Sequence, residues 1–361
     1  MIAGVDVRRT RDHVRDRRIE RVVELVAPAA RLQELPLGPK RTTTVIRGRD
    51  QVAAVLNGTD SRLLVVAGPC SVHDPVAALD YAQRLASTAA ELSEHLLVVM
   101  RVYFEKPRTT VGWKGLINDP HLDGSGDVNT GLRIARELLL DVLDLGLPVG
   151  CEFLDPITPQ YIADTVAWGA IGARTAESQT HRQLGSGLSM PVGFKNRTDG
   201  NVQVAVDAVR AAAASHAFAG IDDAGAPAIL YTAGNRDGHV ILRGGDDGPN
   251  YGPEGVARAV ELLRAAGLPE RVVVDASHGN SAKDPDRQVT AAESIAAQVA
   301  AGSGAIAGLM LESFLVAGRQ DLDVGGDLVY GQSVTDACLD WERTAMVLDR
   351  IAGAVEARRG E

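Results

Sequence analysis

The chain has 361 residues, of which 45% are apolar and 23% charged, so its composition excludes a disordered, collagen-like or coiled-coil chain. Its 37 basic and 47 acidic residues give a net charge of -10 at pH 7, which argues against a general surface for nucleic acid or anionic membranes. The three cysteines are too few for a disulfide framework, and no apolar run is long enough to span a membrane. We therefore expect a cytoplasmic protein with neither a nucleic-acid nor a membrane partner.

Residues 1–60 are expected to form an amino-terminal extension of helices. Apolar residues recur at helical spacing over 12–26, and Pro28 ends this pattern. A linker is predicted over 35–40 and a second helix over 47–56. The extension is a candidate for subunit contact or regulation.

From residue 61 to the carboxyl terminus, short β-rich runs alternate with longer amphipathic segments. The predicted strands are 63–67, 97–104, 149–153, 170–173, 192–194, 240–242, 272–275 and 306–311. The predicted helices are 75–92, 130–146, 159–168, 202–214, 253–266 and 286–302. Eight such units predict an α/β protein with a (β/α)8 TIM barrel over 61–361. An open doubly wound sheet is the alternative, which the absence of a Gly-rich dinucleotide motif after the first strand disfavours.

One segment, 217–232, departs from the alternation. Asp222, Asp223 and Gly225 lie there between two apolar runs, which predicts a β-hairpin inserted into the barrel.

A polar or metal-capable residue stands at or just beyond each predicted strand. In order, these are Cys70, Arg101, Glu152, Arg174, Lys195, Arg243, His278 and Glu312. In a barrel of this kind they converge on one mouth. Together with Lys106 and Arg108, the lysines and arginines form a cationic cleft in an acidic protein, which predicts substrates with several negative charges, such as phosphorylated sugars or small phospho-acids.

Four further groups form a plausible set of ligands for a divalent metal. They are one thiol, one imidazole and two carboxylates: Cys70, His278, Glu312 and Asp336. Mixed sulfur, nitrogen and oxygen ligands suit Zn²⁺, Fe²⁺, Co²⁺ or Mn²⁺ without choosing among them. Cys151 and Cys338, the latter in a predicted helix, are expected to be packing residues. Trp113 and Lys114 lie in a long loop that could cover the mouth.

These residues stand inside sequence strings that resemble the type I (alpha) 3-deoxy-D-arabino-heptulosonate 7-phosphate (DAHP) synthases over essentially the full length of the chain. The strings are Gly68-Pro-Cys-Ser-Val-His-Asp-Pro75, Met100-Arg-Val-Tyr-Phe-Glu-Lys-Pro-Arg-Thr-Thr110, Gly172-Ala-Arg-Thr175, Gly193-Phe-Lys-Asn196, Ile241-Leu-Arg-Gly-Gly245, Asp275-Ala-Ser-His278 and Thr335-Asp-Ala-Cys338.

The resemblance implies condensation of phosphoenolpyruvate with erythrose 4-phosphate and water, the first step of the shikimate pathway. It implies one divalent metal ion per subunit, on Cys70, His278, Glu312 and Asp336. Phosphoenolpyruvate would be held by Arg101, Lys106, Ala173, Arg174, Lys195 and Arg243. Erythrose 4-phosphate would be held by Lys106, Pro107, Arg108, Thr109 and Asp336. Lys106, Glu152 and His278 would be catalytic, with either Lys106 or a metal-bound water as the proton donor.

The resemblance also implies a homo-oligomer, a dimer or a tetramer. In regulated relatives, an aromatic amino acid binds where the hairpin and extension meet, which here would involve Asp16, Pro159, Gln160, Ser189, Phe218, Gly220 and Leu230. Gly220 stands where regulated members often carry serine, and the hairpin is unusually acidic. We therefore expect weak, altered or absent inhibition by aromatic amino acids.

Three other functions remain as alternatives. The related synthase that uses arabinose 5-phosphate has a similar barrel, but its sugar-binding string departs from Lys106 to Thr109. A Schiff-base aldolase would use Lys195 as its nucleophile. A catalytically silent regulatory barrel would be expected to lack some of the metal ligands.

Overall fold

The computed structural model describes residues 16–108, 110–322 and 328–360. Within these residues, eight parallel strands close into a barrel in the order β1-β2-β3-β4-β5-β8-β9-β10. The barrel strands are β1 (Leu63–Gly68), β2 (Leu96–Arg101), β3 (Val149–Glu152), β4 (Trp168–Ile171), β5 (Val192–Lys195), β8 (Gly238–Leu242), β9 (Val272–Asp275) and β10 (Ile306–Glu312). The predicted barrel is therefore confirmed, and the open sheet is excluded.

Helices surround the barrel, and several begin at an aspartate. The helices are α1 (Pro28–Glu34), α2 (Gly38–Asn57), α3 (Pro75–Glu91), α4 (Val128–Asp144), α5 (Pro159–Ile162), α6 (Gln179–Gly187), α7 (Gln203–Ala212), α8 (Pro253–Ala265), α9 (Pro285–Ala300) and α10 (Trp341–Arg359). At the start of α3, Oδ1 of Asp74 accepts hydrogen bonds from the amides of Val76 (2.9 Å) and Ala77 (3.2 Å). This cap fixes the point at which the chain turns from the mouth into the helix.

Helix α2 belongs to the packing of the barrel. Its residues Val52, Val55 and Leu56 share one buried cluster with side chains of the barrel interior, including Trp168 at the start of β4. Nε1 of Trp168 donates a hydrogen bond to Nε2 of His239 across the same end (3.1 Å). The amino end of the barrel is thus filled, and the carboxyl end carries the polar groups.

The prediction of a helix over 12–26 is wrong for the described residues 16–26, and residues 12–15 lie outside them. The backbone there forms a turn, in which the amide of Ile19 donates to the carbonyl of Asp16 (3.0 Å), and it also bonds to neighbouring elements. Asn129 of α4 contacts the amide of Val26 and the carbonyl of Glu24, and the Tyr161 hydroxyl donates to the carbonyl of Val26. Pro28 begins α1 rather than ending a helix, because proline is favoured in a first turn.

Other boundaries also differ from the prediction. Helix α2 begins at Gly38, inside the predicted linker. The predicted helix over 159–168 ends as α5 and a short 3-10 turn, because Trp168 already belongs to β4. Cys338 lies in an isolated bridge to Gly318 and not in a helix. Helices α6 and α10 were missed, as were β11 (Val316–Arg319) and β12 (Gln332–Ser333), which pair beside the mouth.

The predicted hairpin is present as β6 (Ala217–Ile221) and β7 (Pro227–Tyr231), an antiparallel pair outside the barrel. The amide of Ala29 donates to the carbonyl of Asp223 at its turn (2.8 Å), which joins α1 to the hairpin. Among the described residues, no helix is both long and apolar enough to cross a membrane.

Candidate active site

The carboxyl ends of the barrel strands open into a cavity of about 550 Å³. It brings together twelve of the residues that sequence analysis singled out: Cys70, Arg101, Lys106, Pro107, Arg108, Glu152, Ala173, Arg174, Lys195, Arg243, His278 and Asp336. Glu312 adjoins it as the last residue of β10, whereas Thr109 lies outside the described residues. Strand ends far apart in sequence therefore meet at one site, as the barrel requires.

Three of the four candidate metal ligands form a tight group. The ligand atoms of Cys70, Glu312 and Asp336 lie within 4.8 Å of one another, and Sγ of Cys70 is 3.7 Å from Oδ2 of Asp336. His278 lies at the edge of this group, with Nε2 3.5 Å from Oε1 of Glu312. One thiol, one imidazole and two carboxylates at these separations fit a borderline divalent ion.

Nδ1 of His278 lies against a serine hydroxyl and a buried carboxylate, and Oγ of Ser277 is 2.8 Å from it. Oδ2 of Asp275 is 2.9 Å from Nδ1 of His278, which leaves Nε2 facing Glu312. The same oxygen is 3.0 Å from Nζ of Lys195. Burial alone would raise the Asp275 pKa, but the positive charges of Lys195 and His278 hold it well below its ordinary value. A carboxylate behind a histidine in this way is a common arrangement at metal sites.

Lys106 lies against the ligand group rather than apart from it. Its Nζ is 2.8 Å from Sγ of Cys70 and 2.9 Å from Oδ2 of Asp336. The other oxygen of Asp336 accepts from Nζ of Lys283 (3.0 Å). Burial would raise the pKa of Asp336, but the two lysines hold it far below its ordinary value. Burial and the negative charge of Glu312 raise the pKa of the Cys70 thiol.

Arg101 and Tyr103 form a buried wall of the cavity. The guanidinium of Arg101 bonds to Oε1 of Glu312 and the carbonyls of Pro69 and Cys70, and it stacks 3.7 Å from the centre of the Tyr103 ring. Nη1 of Arg101 and the hydroxyl of Tyr103 are buried without a hydrogen-bond partner among the described residues. A buried donor without a partner is costly, so these two groups indicate a ligand.

The loop after β4 approaches the carboxylate of Glu152 closely. A Cβ at Gly172 would lie only 2.3 Å from Oε1 of Glu152, so a larger residue there would displace this carboxylate. The next two residues, Ala173 and Arg174, line the cavity, and Nη1 of Arg174 bonds to the carbonyl of Pro107 (3.4 Å). The loop thus places an amide, a cation and a carboxylate side by side.

Sequence analysis missed several residues of the cavity wall: Tyr103, Glu105, Thr198, Lys283, Arg319 and Asp321. Tyr103 and Glu105 stand within the recognised string and close to Arg101, which is a signal that could have been used. Lys283 has no such signal, because it lies in an irregular turn with a left-handed backbone (φ 63°).

Only some residues of the candidate effector pocket contact one another or the hairpin. Phe218 is paired with Leu230 across the hairpin, and a Cβ at Gly220 would lie 2.7 Å from Cδ1 of Leu230. Nε2 of Gln160, in α5 after Pro159, donates to the carbonyl of Ile221 (3.2 Å). Ser189 is exposed between α6 and β5, and Asp16 is the first described residue.

Glu105 links the loop after β2 to the loop after β3. Its carboxylate accepts hydrogen bonds from the amides of Leu154 (3.4 Å) and Asp155 (3.2 Å) and from the Thr158 hydroxyl (3.0 Å). Burial, followed by the neighbouring charge of Asp155, raises the pKa of Glu105 to about 7.

This raised pKa predicts a pH-dependent loss of stability. Between the ordinary pKa of a glutamate and about 7, the folded protein binds more protons at Glu105 than the unfolded chain does, so stability falls as pH rises through this range. Glu105→Gln cannot ionise and lacks this loss. We expect the melting temperature of Glu105→Gln minus that of the wild type to increase between pH 5.5 and pH 8.

The control is Glu254→Gln, because Glu254 is exposed. If the difference in melting temperature between Glu105→Gln and the wild type is the same at both pH values, the prediction is contradicted.

Comparison with known proteins agrees with this geometry. Residues 36–349 match the model of the DAHP synthetase I family. The chain is 55% identical to the Phe-sensitive phospho-2-dehydro-3-deoxyheptonate aldolase of Escherichia coli K12, over 96% of this chain and 98% of the relative. It is 56% identical to the phospho-2-dehydro-3-deoxyheptonate aldolase of Corynebacterium glutamicum, over 95% of each chain.

Structural comparison points the same way. The structure of the phospho-2-dehydro-3-deoxyheptonate aldolase from Francisella tularensis matches with a TM-score of 0.92 and 50% identity, over 95% of this chain and 100% of that one. The chain belongs to the DAHP synthetase I family.

Proposed function

We propose that the cavity at the barrel mouth is where this chain carries out the reaction of its family. The chain is a DAHP synthase: it joins phosphoenolpyruvate, erythrose 4-phosphate and water to give DAHP and inorganic phosphate, the first step of the shikimate pathway. One observation supports this location: buried cations and the donor group of Cys70, Glu312 and Asp336 surround a single cavity.

Phosphoenolpyruvate is the ligand that suits the deepest cations. Its carboxylate and phosphate need several positive partners, and Arg101, Lys195 and Arg243 are each less than a tenth exposed. Nη1 of Arg101 has no hydrogen-bond acceptor among the described residues, so its N–H groups are available to a ligand. Lys106, Arg174 and the amide of Ala173 complete the proposed set. Arginine binds such oxygens in pairs, whereas lysine contributes a point charge.

The donor group suits one divalent ion per subunit, which we propose to be Mn²⁺, Fe²⁺, Co²⁺ or Zn²⁺. Cys70, His278, Glu312 and Asp336 would hold it, because they combine sulfur, nitrogen and oxygen ligands within a short distance. When bound, the ion supplies Lewis-acid polarisation of the aldehyde. Asp275 would keep the ring of His278 in the ligating orientation.

Erythrose 4-phosphate would lie nearer to solvent, against Lys106, Pro107, Arg108, Thr109 and Asp336. Arg108 is exposed at the rim, where it can bind the phosphate of the sugar. The aldehyde then lies beside Lys106, with phosphoenolpyruvate beneath it. Such an arrangement holds two negatively charged substrates in contact, although they would repel each other in free solution.

The bond changes follow from where charge develops. Carbon 3 of phosphoenolpyruvate forms a bond to the aldehyde carbon, and carbon 2 becomes electron-deficient. The carboxylate of Glu152, which lines the cavity, would stabilise that centre or orient the water that adds to it. Cleavage of the C–O bond then releases phosphate. Lys106 would protonate the new oxyanion, because its side chain lines the cavity in which the aldehyde would lie.

We expect phosphate release from phosphoenolpyruvate to require erythrose 4-phosphate and a divalent ion. Protein reconstituted with each candidate ion is assayed with erythrose 4-phosphate and with arabinose 5-phosphate, before and after chelation. Turnover should be fast only with erythrose 4-phosphate, and it should disappear on chelation and return with the ion. Preference for arabinose 5-phosphate would contradict the proposed role of residues 106–109, and silence with both sugars would favour a regulatory barrel.

We also propose that aromatic amino acids inhibit this chain weakly or not at all. Similarity does not decide the matter, because relatives named Phe-, Trp- and Tyr-sensitive are 55%, 54% and 52% identical to it. The residue at position 220 is the relevant difference, because regulated members of the family often carry serine where this chain has Gly220. The Cβ of a serine there would lie 2.7 Å from Cδ1 of Leu230, so the side chain of Leu230 would have to move.

Inhibition is tested by measuring DAHP formation with phenylalanine, tyrosine or tryptophan at increasing concentration. We expect more than half of the activity to remain at submillimolar levels of each amino acid, because the lining at Gly220 and the acidic hairpin turn depart from regulated relatives. Strong inhibition by micromolar levels of any of the three contradicts this expectation.

The protein is proposed to be a homo-oligomer, a dimer or a tetramer, that works in the cytoplasm. One face of the hairpin carries Ala217, Ala219, Ile229 and Tyr231, and the last two are 65% and 80% exposed. Val22 and Val23 of the extension are also more than half exposed. Apolar surface of this extent suits contact with a second copy of the chain. All three cysteines are free, which fits a reducing compartment.

Sedimentation velocity tests the oligomer directly. We expect the wild type to sediment as a dimer or tetramer, and Ile229→Asp combined with Tyr231→Asp to reduce its assembly, because two charges would be buried in the contact. Val76→Asp is the matched control, since Val76 is 71% exposed but lies on α3. Unchanged sedimentation of the hairpin variant would exclude this face.

A further inference from the structure

A second cavity adjoins the one at the barrel mouth. It lies between the loop after β8 and the loop that joins β9 to α9, and its volume is about 670 Å³. Arg243, His278 and Lys283 line both cavities, whereas Ser281 and Arg287 line the second and not the first. We call this second cavity the β8–β9 groove.

Backbone contacts hold the two loops of the groove together. A Cβ at Gly279 would lie only 2.6 Å from the amide nitrogen of Gly245, so the two backbones touch at these glycines. The amide of Asn280 donates to the carbonyl of Arg243 (3.2 Å), and its side-chain Nδ2 donates to the carbonyl of Leu242 (3.2 Å). The groove is therefore preformed, and a ligand can bind there without first ordering a loop.

Positive charge predominates in the groove. Its lysine, arginine and acidic residues are three cations and one anion: Arg243, Lys283, Arg287 and Asp246. Lys283 pairs with Asp336, but Arg287 is held only loosely, because its Nε is 3.8 Å from Oδ2 of Asp284. A cationic groove in a protein with a net charge of -10 favours a small anion as its ligand.

Two buried donors of the groove lack a strong partner. Arg243 is 9% exposed, and among the described residues its guanidinium bonds to the carbonyl of Gly244 (3.3 Å) and pairs with no carboxylate. Ser281 is 1% exposed, and its hydroxyl has no hydrogen-bond partner among the described residues. Buried donors without a partner are costly, and the oxygens of a phosphate accept hydrogen bonds from both kinds of group.

We propose that the β8–β9 groove is a second anion site, which binds inorganic phosphate and takes up the phosphate released from phosphoenolpyruvate. The inference rests on the proposed function, because phosphoenolpyruvate is the source of this phosphate. Arg243 lines both cavities, so phosphate can pass from one to the other while it stays beside the same cation. Arg287 is 66% exposed and lies where the groove meets solvent. This route avoids the barrel mouth, where the sugar would lie.

Equilibrium dialysis with radiolabelled inorganic phosphate tests the site itself. Protein reconstituted with the divalent ion is saturated with phosphoenolpyruvate and given no sugar, so that the catalytic cavity is filled and no turnover occurs. We expect the wild type to bind about one phosphate per subunit, and Arg287→Gln to bind it at least about fivefold more weakly. Arg258→Gln is the matched control, because Arg258 is also exposed on a barrel helix but does not line the groove.

Two results of the dialysis would overturn the inference. One is a wild type that binds no phosphate in the presence of phosphoenolpyruvate. The other is equal weakening in Arg287→Gln and Arg258→Gln, which would be a general effect of charge. Ser281→Ala removes one hydroxyl without adding bulk, and we expect it to weaken phosphate binding at least about twofold. Circular dichroism checks that each variant is folded.

Product inhibition tests the role of the groove in phosphate release. Phosphate that competes only for the phosphoenolpyruvate position is a competitive inhibitor, whereas phosphate in the groove also inhibits when phosphoenolpyruvate is saturating. We expect mixed inhibition for the wild type and Arg258→Gln, and competitive inhibition for Arg287→Gln. Mixed inhibition that persists in Arg287→Gln contradicts the role in release. A chain that binds phosphate in the dialysis but has no turnover contradicts the proposed function, and with it the role in release, but not the anion site.

Discussion

Buried ion pairs hold the mouth of the barrel together. Arg101 pairs with Glu312 and Lys195 with Asp275, and all four side chains are at most 3% exposed. Removing a charge from water is expensive, so each of these charges is tolerated only because an opposite charge touches it. Oδ2 of Asp275 also lies 2.9 Å from Nδ1 of His278. The site is therefore built on a balance of charge, and Nη1 of Arg101 is left without a hydrogen-bond partner among the described residues.

The barrel could be predicted because its strands bury both faces and therefore appear as continuous apolar runs. β1 and β10 are buried throughout, and their positions were found to within a residue or two. The segment over 12–26 was misread because its periodicity is local, whereas the hydrogen bonds that fix Glu24 and Val26 come from Asn129 and Tyr161, more than 100 residues away. Such distant partners leave no trace in the spacing of apolar residues.

Most of the candidate site could be predicted, because a polar residue at the carboxyl end of a barrel strand lies at the mouth of the barrel. The contacts among those residues could not be predicted. Nothing in the spacing shows that Lys283 reaches Oδ1 of Asp336, or that Glu105 bonds to the loop after β3. Those contacts depend on irregular turns, including the left-handed residues Ala282 and Lys283, whose course is set by the packed barrel.

Charge balance also explains why a lysine stands among candidate metal ligands. The carboxylates of Glu312 and Asp336 lie with the Cys70 sulfur in a group whose ligand atoms are within 4.8 Å of one another, and two like charges this close disfavour each other unless a cation is present. Lys106 supplies that cation in the structure described here. The two carboxylates are thus balanced by three cations from different strands and loops, Arg101 on Glu312 and Lys106 and Lys283 on Asp336, which is why the candidate ligands can lie this close together in a largely buried site.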